Sequence, residues 1–174
     1  MKISYDKIQD LVDAAAAKSL QIRRDLHQNP ELSEHEVHTS ARVRAELKQL
    51  GIPYRSEIAG HGIKAVLTTK SKEPAVAIRA DMDALPIQEK VDLPFKSQND
   101  GVMHACGHDI HTAVLLGTAS VLKALQEELP RTSVFLFEPA EETRGGAKPM
   151  IEEGCLEDPR VDTVIGLHIE PSVD

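Results

Sequence analysis

The sequence predicts an α/β domain: a mostly parallel mixed sheet flanked by helices. Three observations predict it. From residue 75 to 168 the apolar pattern alternates as strand, helix, strand, helix, strand, the order of a sheet built through helical crossovers. The run "TSVFLFEP" (132–139) is compact, apolar and stopped by proline, as in a strand covered on both faces. Two amphipathic helices lead the chain and supply a layer to pack on that sheet.

The elements follow in order. Between Asp6 and Gln28 the apolar residues Ile8, Leu11, Val12, Ala15, Ile22 and Leu26 recur at helical steps, and "NPE" ends the helix. Ser33 and Glu36 have the spacing of a capping box, opening a second helix with the stripe Val37, Ala41, Leu47 and Leu50 that Gly51 stops. "IKAVLTT" (63–69) and "AVAIRA" (75–80) are rich in β-branched and small apolar residues, and the turn-like "KSKEP" between them predicts a hairpin. "DMDALPIQEKVDLPFKSQNDG" is an irregular loop. A helix from near His108 carries Ile110, Ala113, Val114, Gly117, Val121 and Leu125 on one face and stops before Pro130. "GGAKPMIEEG" holds a short helix, and "DTVIGLH" (162–168) is expected to be another buried strand.

At 174 residues the chain fits one domain, burying on the order of 70% of its unfolded surface. Hydrophobic residues make up 41% and charged residues 28%, ordinary for a soluble globular protein. No apolar run approaches the ~20 residues that span a bilayer, and "MKISYDKIQDLVDAAAAK" lacks the apolar core of a signal peptide, so no membrane role and a cytoplasmic location are expected. A net charge of -8 argues against a nucleic-acid partner. Seven acids lie between Glu138 and Asp158 against only Arg144 and Lys148, which fits either a solvated surface or a bound cation.

The chemistry-bearing residues fall at the carboxyl ends of the predicted strands, where ligands gather in such sheets. "AVAIRA" runs into Asp81 and Asp83, "VFLF" into Glu138, Glu141 and Glu142, and "TVIGL" into His168. Cys106 and His108 flank a glycine at a helix N-terminus, so both can turn to one point where exposed N–H groups favour a thiolate. Thiolate and imidazole are good zinc ligands, and carboxylates complete such a shell. Taken singly, each feature has a plain structural reading: a buried thiol beside a capping histidine, acids at a strand end, Asx turns. Adjacent carboxylates at Glu141 and Glu142 are costly to desolvate together without a cation or proton, and a metal site divides them into base and ligand. Asp81 and Asp83 share one side of an extended segment, from which either can orient an imidazole. His27, His35, His38 and His61 read as surface residues and Cys155 as an inert thiol, while nothing marks His104 or His111.

Together, "DLHQNPELSEHE", "RADMDALPIQE", "MHACGHDIHTA", "FEPAEETRGGAKPMIEEG" and "GLHIEP" resemble the amidohydrolase branch of the aminoacylase and carboxypeptidase superfamily of metallohydrolases. The resemblance implies a co-catalytic zinc-peptidase-like fold with two divalent metal ions (zinc, manganese, nickel or cobalt) and a small N-acyl amino acid as substrate. It implies that Cys106, His108, Glu142 and His168 are metal ligands, Glu141 the general base and Asp83 the acid that supports the site; it leaves Asp81 outside the ligand set. Members of that branch extend much further, so residues 1–174 are expected to be an N-terminal part of the catalytic domain. A last ligating histidine, the rest of the sheet, and the lid domain that makes a homodimer and holds the substrate's carboxylate are then missing. A metal-binding fragment without turnover, and a cysteine hydrolase with Cys106 as nucleophile, are the competing readings.

Overall fold

The computed structural model describes residues 3–170. Helix α1 (Tyr5–Gln28) starts where the Ser4 hydroxyl accepts the Lys7 N–H, and ends at Asn29, whose N–H and side-chain amide both donate to Asp25 before Pro30 forbids another turn. Helix α2 is Val37–Gln49. Strands β1 (Tyr54–Ile58), β2 (Gly62–Leu67) and β3 (Ala75–Asp81) follow, then the long loop, α3 (His108–Ala124), β4 (Ser133–Glu138), the single turn α4 (Glu141–Arg144), α5 (Ala147–Glu152) and β5 (Val161–Gly166).

The sheet order is β1-β2-β4-β3-β5. β3 pairs in parallel with β4 and β5, while β1–β2 and β2–β4 are antiparallel, so the sheet is mixed. β4 lies centrally and all six of its residues are buried, as its unbroken apolar run predicts. Its alternate side chains serve two cores. Phe135 and Phe137 join Ile63, Ala65, Leu26, Val43, Leu47 and Leu116 under the α1–α2–α3 layer. Val134 and Leu136 pack with Ala77, Met150 and Cys155 on the other face. Truncating either phenylalanine to alanine costs about 3–5 kcal/mol.

Several expectations are corrected. β2 and β3 do not form a hairpin: β4 inserts between them, where its backbone is paired on both edges and its two apolar faces are covered by both layers. β1 was not anticipated; its half-exposed, polar "YRSEI" gives no apolar alternation. β5 is an exposed edge strand rather than a buried one, with Val164 52% and Ile165 46% exposed, since only β3 pairs with it among the described residues. Ser33 and Glu36 form no capping box; Glu31 instead accepts the N–H groups of His38 and Thr39 at 2.9 Å each. The α3 face is also shifted: Ala113, Leu115, Leu116 and Ala119 are buried and Val114 is exposed. Val37 and Ala41 of α2 likewise face outward.

Candidate metal centre

The carboxyl ends of β3, β4 and β5 and the N-terminus of α3 converge. Gly107 makes the convergence possible: it sits at φ 81°, and a Cβ there would lie 2.4 Å from Cδ1 of Ile169. Only glycine both takes that left-handed turn and admits the β5 exit so closely. Cys106 and His108 are thereby turned to one side. Cys106 Sγ lies 3.3 Å from His168 Nε2, and His108 Nε2 lies 3.7 Å from Glu142 Oε1. Ligand atoms of Cys106, His108 and His168 fall within 4.8 Å of one another, and so do those of His108, Glu141 and Glu142. His108 belongs to both sets, so the five residues form one cluster. His108 is buried, Cys106, Glu141 and Glu142 are half-buried, and His168 is exposed, which leaves the cluster open on the β5 side.

The donor atoms fit a cation. His108 Nε2 and Glu142 Oε1 are both buried without a hydrogen-bond partner, an arrangement that is costly unless something positive lies between imidazole and carboxylate. Asp83 sits behind His108, with Oδ1 3.3 Å from Nδ1. Its other oxygen accepts from the Ser33 hydroxyl at 2.6 Å and the Glu142 N–H at 3.0 Å. Burial would push the Asp83 carboxyl up, but His108, Ser33 and the Glu142 N–H outweigh it and hold the pKa at about 2. Asp83 thus keeps its charge toward Nδ1 and leaves Nε2 to face the cluster. Burial pushes the Cys106 thiol up to about 11, with the carboxylates of Glu142, Asp81 and Glu141 adding to it. The thiolate-favouring effect expected of the helix N-terminus is overridden by burial and by the three nearby carboxylates.

Residues 77–174 match peptidase family M20/M25/M40. The chain belongs to this family. Over 152 residues it is 49% identical to an N-acetyl-L-cysteine deacetylase of Bacillus subtilis, a match covering 87% of this chain and 36% of that protein. It is 51% identical over 148 residues to the IAA-amino acid hydrolase ILR1-like 4 of Arabidopsis thaliana, covering 85% of this chain and 33% of the other. The chain therefore spans about a third of these relatives. Among solved structures, Bacillus subtilis YXEP, described as a dinuclear metal binding peptidase of the M20 family, superposes with a TM-score of 0.86 at 43% identity, over 91% of this chain and 44% of that one. An aminobenzoyl-glutamate utilization protein of Klebsiella pneumoniae superposes with a TM-score of 0.75 at 27% identity, over 96% of this chain and 47% of its own.

In this M20-family chain the cluster is flanked by buried polar residues that sequence reasoning passed over. His27, read as a surface residue, is 4% exposed; its Nδ1 lies 2.8 Å from Asp109 and its Nε2 3.1 Å from Glu89. The hydrogen bond to Asp109 raises its pKa. Arg23 Nε adds a second contact to Asp109 at 2.9 Å. His104 is buried beside this group, and desolvation lowers its pKa to about 4. His111 lies one turn from His108 on α3, and its Nδ1 is 2.7 Å from Asp81 Oδ1. The i, i+3 spacing of His108 and His111 was the available signal. His27, Glu89 and Asp109 left none, being 62 residues or more apart wherever they meet. A cleft of about 580 Å³ opens beside the cluster, lined by Arg23, His104, Cys106, His168 and Glu170 among others. No helix among the described residues is long and apolar enough to cross a membrane.

Proposed function

We propose that residues 1–174 form the N-terminal part of a metallohydrolase catalytic domain that hydrolyses the amide bond of small N-acyl amino acids, with acetyl, benzoyl or similar acyl groups. The observation that carries this reading is the convergence of sulfur, imidazole and carboxylate donors with buried, unpartnered His108 Nε2 and Glu142 Oε1. The relatives' names support the substrate class, one giving an N-acetylated amino acid and the other an amino-acid conjugate. Cys106, His108, Glu142 and His168 hold the metals, Asp83 orients His108, and the adjoining cleft admits the substrate. Two divalent cations (zinc, manganese, nickel or cobalt) bound there supply polarisation of the acyl carbonyl and acidification of water.

Glu141 takes a proton from the attacking water as its oxygen bonds to the carbonyl carbon. It then passes that proton to the departing nitrogen as the C–N bond breaks, giving a carboxylic acid and a free amino group. A cytoplasmic location and a homodimer of the longer form belong to the same proposal. In the full-length context, Glu141→Gln is expected to keep its metal content and lose about 10²–10⁴-fold in turnover of an N-acetyl amino acid. Parallel loss of metal and turnover would contradict the base assignment. Chelation separates the thiol reading: a Cys106 nucleophile would survive it, and a metal site would not.

A further inference from the structure

The segment leaving β5 carries His168, and among the described residues no strand supports it on the outer side. Its placement is fixed from inside by a different histidine. The Ile169 N–H donates to His111 Nε2 at 3.0 Å. A backbone amide can only donate, so Nε2 is the bare nitrogen and Nδ1 carries the proton. That proton is aimed at Asp81 Oδ1, 2.7 Å away. The other Asp81 oxygen is taken by Arg79 Nη1 at 2.5 Å, and Arg79 Nε reaches Glu138 Oε2 at 2.5 Å. Glu138 Oε1 in turn accepts the Ala147 N–H at 2.7 Å. Both nitrogens of His111 are thus occupied by protein atoms. Its ring also flanks that of His168, with centroids 4.8 Å apart.

We infer that His111 is a positioning residue for His168: its imidazole, locked in one tautomer between Asp81 and the Ile169 amide, aims the His168 ring at Cys106. The inference rests on the metal reading proposed above and deepens it. It divides the duties of the β3 acids. Asp83 braces His108 at Nδ1, whereas Asp81, whose Oδ1 also lies 3.6 Å from His108 Nε2, reaches the segment after β5 through His111.

The two nitrogens can be tested separately, because asparagine places its amide near Nδ1 and glutamine near Nε2. His111→Gln retains an acceptor for Ile169, and His111→Asn retains only the donor to Asp81. The readout is Co²⁺ affinity by competition with a chromophoric chelator, together with the visible spectrum of bound Co²⁺. His111→Asn is expected to weaken Co²⁺ by about 10- to 100-fold and to perturb the spectrum, with His111→Gln close to wild type. In metal-free wild type, ¹⁵N NMR is expected to show a bare Nε2 coupled across the hydrogen bond to the Ile169 amide. Thermal melts of the chelated variants check that folding is kept; if His111→Asn fails to fold it is replaced by His111→Ser, which also removes the acceptor and is expected to match the result predicted for Asn. Equal Co²⁺ affinity for wild type, Asn and Gln overturns this inference alone. Absence of Co²⁺ binding by folded wild type overturns the metal reading and this inference with it.

Discussion

Glu36 Oε1 accepts the backbone N–H of Ala140 at 2.7 Å, joining the start of α2 to the residue before Glu141 across 104 positions of sequence. Ala140 has φ 52°, a left-handed conformation unusual for alanine. Glu36 is fully buried, and burial pushes its carboxyl pKa up. The acid expected to cap a helix is thus used to hold the turn that presents Glu141 and Glu142.

Removing that brace tests its contribution. Glu36→Ala leaves the Ala140 N–H without a partner and is expected to lower unfolding free energy by about 1–3 kcal/mol in urea titrations. Glu36→Gln keeps an oxygen acceptor and is expected to lose less. Equal losses would show that the acceptor oxygen kept by glutamine contributes nothing to the brace.

Asp83 sets a pH dependence. Its folded pKa of about 2 lies below the ordinary 3.8, so the unfolded chain binds the proton more tightly. The stabilisation is present above about pH 4 and is lost as pH falls through about 2, amounting to about 2 kcal/mol. In chelated protein, Asp83→Asn is expected to flatten that acid limb of the stability curve. An unchanged limb would assign it to other carboxylates.

Cys106 is a poor nucleophile without a cation. With its thiol near 11 against an ordinary 9.0, the thiolate fraction at neutral pH is about 100-fold below that of an exposed cysteine. In a Cys155→Ala background, chelated protein is expected to alkylate slowly with iodoacetamide and to show its rate inflection near pH 11. Rapid alkylation at pH 7 would favour the thiol-enzyme reading.

The β5 edge is open and apolar, with Val164, Ile165 and Leu167 exposed. Such an edge templates pairing with another strand. Light scattering of this chain is expected to show concentration-dependent association that Ile165→Lys reduces. Association indifferent to that charge would place the contact elsewhere.

The short-range features were legible in the sequence. A period of 3.6 residues marked α1 and α3, and short apolar runs marked β3 and β4, because side-chain direction and burial repeat locally along the backbone. The strand-end rule and the Cys-Gly-His turn brought Asp83, Cys106, His108, Glu141, Glu142 and His168 to one end of the sheet, and the structure does gather them there. The polar β1 gave no such pattern, and the hairpin reading failed because strand order is a long-range choice.

Sequence alone determined the helices and strands other than β1 and the single turn α4, and which residue types stand at their ends. Tertiary structure decided that β4 separates β2 from β3, that β5 is an edge, and that Ser33, Glu36 and His111 brace the cluster. Local pattern reports how a segment meets water. It cannot report which distant donor satisfies a buried acceptor, because that partner is chosen only when the layers close and water is excluded.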